Sequence, residues 1–163
     1  MIQRIQTVFL ALLLVVMLLT HFIDFAAFNV GEAIFNFDIY CLFKFTASEE
    51  IKLNSHWYLA IISLLIQLVA LATIVLFKNR ALQIKLCKLN FLLISAFIAL
   101  LFLAYGKYQT IAQDYAKTIA DAVVNVQYRF ALVLPFLGLF FNFLALRFIK
   151  KDEELIRSAD RIR

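Results

Sequence analysis

Four stretches of the chain carry no Asp, Glu, Lys or Arg: Val8 to Leu19, Trp57 to Phe77, Leu89 to Tyr105 and Phe130 to Leu146. At about 1.5 Å per helical residue, about 20 residues cross the roughly 30 Å hydrocarbon layer of a bilayer. Inside that layer only helices and closed barrels satisfy their backbone. Slightly extended, the four stretches predict transmembrane helices over about 5–25, 57–77, 87–106 and 129–149. Arg4 followed by an apolar run also resembles a cleavable leader, but bulky Phe continues the run and no small-x-small site follows, so an uncleaved first span is expected.

Polar and small residues inside the spans fall on stripes. In the fourth, Ala131, Pro135, Gly138, Asn142 and Ala145 step by four and three, and in the second so do Ala60, Ser63, Gln67 and Ala70. Such a stripe lets helices approach closely, and an amide on it bonds across to a neighbour for about 0.6 to 2 kcal/mol. Gln67, Gly138 and Asn142 are therefore expected to pack helices. The alternative is a substrate cavity lined by Gln67 and Asn142, with Pro135 as a hinge.

Between the first two spans, Phe35 to Phe45 alternates with period two, which predicts one strand with a greasy face. A polar break at Thr46 to Glu50 and a further alternation through Ile51 and Leu53 predict a hairpin partner. In the second loop, Ile111, Tyr115, Ile119 and Val123 recur every four residues, so its first part continues the third helix. "VVNVQYR" after it reads as a third strand.

The ending, "FIKKDEELIRSADRIR", carries nine charges in sixteen residues. No Gly or Pro lies between Leu139 and Arg163, so nothing stops the fourth helix at the membrane surface. Its buried stripe runs on through Ile149, Asp152, Ile156 and Ala159, while Glu153 with Arg157 and Asp160 with Arg163 have ion-pair spacing. Residues 150–163 thus form a helical tail, projecting roughly 20 Å, whose interaction candidates are Ile156, Arg157, Asp160 and Arg161.

Composition agrees: 163 residues, 64% hydrophobic, 17% charged and mean hydropathy +0.90, against about 45–50% apolar and about 25% charged in soluble domains. The length suits a single domain. Of sixteen Lys/Arg, eleven lie at the N-terminus, the loop after the second span and the tail, with four of the eleven acids. Both termini are therefore expected in the cytoplasm. The net charge of +5 becomes a signal of topology and of attraction to anionic lipids, not to nucleic acid.

Chemistry is sparse. No span carries an ionisable group in its core, which argues against proton-coupled transport, and no clustered His, Asp or Glu suggests hydrolysis. Cys41 and Cys87 fall on opposite sides and form no C-x-x-C pair. Cys41 reads as a buried apolar residue of the strand, or else as a site for an intermolecular disulfide or lipid. His21 and His56, at the outer ends of two spans with Asp24 and Asp38 near, offer a conceivable haem or metal pair. The better reading places them in an aromatic belt with Trp57 and Tyr58. No cofactor is expected.

"MIQRIQTVFL", "FKNRALQIKLCKLN" and "LALRFIKKDEELIRSADRIR" resemble the signatures of a family of four-span inner-membrane proteins of Bacteroidota known only as a domain of unknown function. The resemblance covers the whole chain and implies a Gram-negative inner membrane but no activity. The first outer loop is also similar in plan to the sheet-bearing first loop of claudin-like proteins, without their paired cysteines and Trp motif. The expectation is an all-α membrane protein: a four-helix transmembrane bundle with a small β-hairpin or sheet in the first periplasmic loop. It is expected to act as a non-enzymatic accessory, scaffold or assembly subunit, binding lipids and a protein partner or its own copy. A small transporter or lipid-handling protein comes second, and a haem or metal subunit of a respiratory complex third.

Overall fold

The computed structural model describes residues 2–46, 50–77, 79–119 and 123–160, with side chains described over 5–46, 50–77, 79–119 and 123–155. The elements in chain order are α1 (Ile2–Leu19), β1 (Ala26–Val30), β2 (Ala33–Phe37), β3 (Cys41–Phe45), β4 (Glu50–Ser55), α2 (Trp57–Val75), α3 (Arg80–Lys117), β5 (Val124–Tyr128), a 3-10 turn (Phe130–Leu132) and α4 (Leu134–Asp160). The helices pack in a ring, each of α1, α2, α3 and α4 against the next and α4 against α1. Three helical stretches are long and apolar enough to cross a membrane, Trp57–Val75, Arg80–Lys117 and Phe130–Leu155, while the apolar part of α1, Ile5–Leu19, is shorter.

The predicted first span reaches too far. Helix α1 stops at Leu19 because the Thr20 hydroxyl donates to the Met17 carbonyl at 2.7 Å and the His21 and Phe22 amides close turns on Leu18 and Leu19. From Phe25, whose N–H donates to the Phe37 carbonyl, the apolar run is drawn into a sheet instead.

That sheet is larger than a hairpin: five antiparallel strands in the order β4-β3-β2-β1-β5. The eleven-residue strand expected from Phe35 to Phe45 is two strands. Oδ1 of Asp38 accepts from the amides of Tyr40 at 2.7 Å and Cys41 at 2.6 Å, and this side-chain turn reverses the chain. Gly31 takes φ +60° in the two-residue β1–β2 turn, a conformation a Cβ disfavours. "VNVQY" is β5 and pairs with β1, so the second loop completes the sheet begun by the first.

Helix α3 carries the sheet. Continuing past the bundle to Lys117, it places Tyr105, Tyr108 and Tyr115 against Phe28, Phe37 and Phe35 at ring separations of 5.1–5.5 Å. Buried Ala112 and Ala116 keep its surface low there, and Nζ of Lys44 sits 3.9 Å from the Tyr115 ring centroid.

The stripes face inward. Ala131, Pro135, Gly138, Asn142, Ala145 and Ile149 are all buried, as are Ala60, Ser63 and Ala70. A Cβ on Gly138 would meet Leu13 at 3.2 Å and Met17 at 3.3 Å, so this glycine sets how closely α4 approaches α1. Pro135 lies in the first turn of α4, where its missing N–H leaves no bond unmade. Large apolar side chains turn outward instead, among them Leu68, Leu92, Leu103, Phe136 and Phe140.

Candidate functional site

Two polar assemblies tie the fold together, one at each end. At the sheet end the Asp38 turn is the seed. Its carbonyl faces Nε2 of His56 at 2.7 Å, and Nδ1 of His56 faces the Tyr108 hydroxyl at 2.7 Å. A carbonyl only accepts, so His56 carries its proton on Nε2 and accepts from Tyr108 through Nδ1. The ring is 1% exposed, and burial holds its pKa below the usual histidine value, although the carbonyl bond and charge of Asp38 act the other way. The belt position expected for His56 is corrected by this burial: it joins the first loop to α3. The Cys41 thiol, also buried, is pushed up to about 11 by burial first and by neighbouring Asp38 second, which keeps it protonated and unreactive.

His21, in the turn after α1, takes other partners. Its Nδ1 lies 2.9 Å from the Tyr40 hydroxyl, and its Nε2 lies 3.1 Å from both the Ser63 hydroxyl and the Gln67 amide nitrogen. The amide nitrogen donates, so Nε2 accepts and the proton sits on Nδ1, directed at Tyr40. The two histidines thus have both ring nitrogens engaged by different neighbours. Among the described residues, no three His, Cys, Asp or Glu side chains gather as a metal ion would need. Asp24 instead pairs with Arg129 at 3.5 Å.

At the distal end three remote segments meet. Nη1 of Arg80 lies 2.8 Å from Oδ2 of Asp152 and donates to the Asp152 carbonyl at 3.0 Å, while the Gln6 amide donates to the Phe148 carbonyl and to Oδ2 of Asp152 at 3.4 and 3.3 Å. Beside this clasp Gln83 donates to the Thr73 carbonyl at 2.8 Å. On the outer side of α4, Arg147, Lys150, Lys151 and Glu154 rim a cavity of about 460 Å³.

Gln67 and Asn142, paired in the cavity alternative, are not brought together. Gln67 reaches His21 toward α1, whereas the Asn142 amide donates to the Cys87 carbonyl of α3 at 2.9 Å. Sequence reasoning missed Asn90, one turn along α3 from Cys87, 1% exposed and with no hydrogen-bond partner for its amide among the described residues. It also missed Gln6, Arg80 and Tyr108, whose only sequence signal is polarity at the ends of apolar runs. Of the tail candidates, Ile156, Arg157 and Asp160 lie in the last turns of α4, where the backbone alone is described, and Arg161 lies outside the described residues.

The architecture is that of an apolar four-helix bundle capped by an antiparallel sheet, with polar side chains spent on joining its segments. The chain belongs to the family DUF4293, a domain of unknown function, whose profile matches residues 2–162. A search of curated proteins finds no match.

Proposed function

We propose that this chain is a four-span protein of a bacterial inner membrane, with both termini in the cytoplasm, acting as a non-enzymatic accessory or scaffold subunit. The Gln6–Arg80–Asp152 clasp carries this reading, because it gathers the N-terminus, the inner loop and the tail at one face. Those are the segments that hold most of the basic residues, and such an excess marks the cytoplasmic side. The outward Leu and Phe side chains suit lipid, and the inward small and amide residues suit helix packing without a hydrophobic driving force. Helix α1 then crosses with its polar ends drawn in, a short span accommodated by local thinning.

The clasp fixes the direction in which α4 leaves the bundle, so the tail beyond it is presented to a partner as a rigid helix. If so, Ile156→Asp abolishes co-purification of that partner in mild detergent while the protein still reaches the membrane, since the charge falls on the apolar side of the tail. Deletion of Ser158 to Arg163 gives the same loss. Partners unchanged by both variants would reduce the tail to a topology anchor held by head groups.

A further inference from the structure

Between α1 and α2, just below the sheet, a groove of about 460 Å³ opens to the outside of the bundle, within the size of ligand sites. Leu18, Phe22, Ile61 and Leu64 form its walls and are 50–77% exposed. His21, Tyr40 and Gln67 form a polar pole inside it, and Trp57 stands at its sheet end. Nζ of Lys52, on β4, lies 5.8 Å from the Trp57 ring centroid and so puts a cation beside that mouth. A cation and an aromatic ring thus stand at the mouth of a groove that holds a hydrogen-bonding pole and a hydrocarbon wall.

The pole has capacity left over. Tyr40 accepts from His21, so among the described residues nothing takes up its own O–H, which can point into the groove. Gln67 spends both N–H groups of its nitrogen on His21 and Ser63, leaving only the amide oxygen. In a groove open to lipid tails, these groups find no water and cost free energy unless something bonds them.

We infer that this groove binds one glycerophospholipid of the leaflet on the sheet side. The phosphate meets Lys52, an ester carbonyl accepts from the Tyr40 hydroxyl, and one acyl chain lies along Leu18, Phe22, Ile61 and Leu64. Charge complementarity at the mouth and acceptor chemistry at the pole select this occupant over a bare hydrocarbon chain or a protein helix. The assignment rests on the membrane reading given above.

Trp57 is the single tryptophan of the chain and lines the groove, so its fluorescence reports the occupant. The protein in uncharged detergent micelles is titrated with phosphatidylglycerol bearing a brominated acyl chain, and separately with a brominated diacylglycerol that lacks the phosphate. The wild type is expected to quench along a saturating curve at low mole fraction with the phospholipid and to need more of the diacylglycerol. Tyr40→Phe and Lys52→Gln each raise the phospholipid midpoint about fivefold, the ratio carried by one lost hydrogen bond or ion pair. Lys52 is exposed, so its variant tests the site without disturbing the fold. Quenching proportional to mole fraction, alike in the wild type and both variants, means passing contact with bulk lipid and overturns the proposal. A Trp57 unquenched even by heavily brominated micelles overturns it together with the membrane reading, and the two failures are told apart by that difference.

Discussion

Replacing His56 with Leu is expected to lower folding stability by roughly 2–6 kcal/mol, because it orphans two buried groups at about 1–3 kcal/mol each. The Tyr108 hydroxyl loses its acceptor and the Asp38 carbonyl loses its donor, both at 2.7 Å in the native protein. Tyr108→Phe orphans only Nδ1 of His56 and should cost about half as much. The same histidine makes stability depend on pH. Its pKa in the folded protein is lowered from 6.5 by burial, so the unfolded chain takes up the proton first. Stability is full above about pH 6.5 and is lost as the pH falls below it. Thermal unfolding in detergent, followed at about pH 7.5 and about pH 5.5, checks both points. A midpoint unmoved by His56→Leu, or an acid decline of equal size in that variant, would show that the sheet is not held through this residue.

Asp152→Ala is expected to cost about 1–3 kcal/mol and to release the tail helix first. It leaves the Arg80 guanidinium, 21% exposed beside a carboxylate 14% exposed, without its partner, and truncating one side of a sheltered pair is costlier than losing an exposed one. Gln6 loses an acceptor at the same time. Limited proteolysis should then cut α4 beyond Arg147 while leaving the sheet intact. In a double-mutant cycle, Arg80→Ala on top of Asp152→Ala should add little. Additive losses would mean that the two residues do not act together.

The bundle was legible because helical packing leaves a direct trace: the three-and-four stepping of Pro135 to Ala145 is the buried side of α4 itself, with Ala131 in the turn just before it. The sheet was half legible. The Asp38 turn preserves the alternation of Phe35 to Phe45, so a reversal reads as one continuous strand until the side-chain bonds to Tyr40 and Cys41 are seen. Strand β1 was hidden because Phe25 to Val30 prolongs the apolar run of α1, and what separates them is pairing with β2 and β5, each contributed by a later segment. His56 was misplaced for a similar reason, since the tyrosine that buries it comes from the far part of α3. The distal clasp left no local trace at all: Gln6 and Asp152 are 146 positions apart, and only the ring order of the helices brings them together.

The proposed topology, with the sheet outside and the clasp inside, is measured most directly by cysteine accessibility in intact spheroplasts. Native Cys41 and Cys87 are buried at 2% and 0% exposure and give a low background. Glu32, in the β1–β2 turn, and Glu154, on the distal part of α4, are both exposed. A membrane-impermeant maleimide should label Glu32→Cys in intact spheroplasts and Glu154→Cys only after lysis. Labelling of Glu154→Cys before lysis, with Glu32→Cys protected or equally reactive, would contradict the orientation on which the scaffold reading rests.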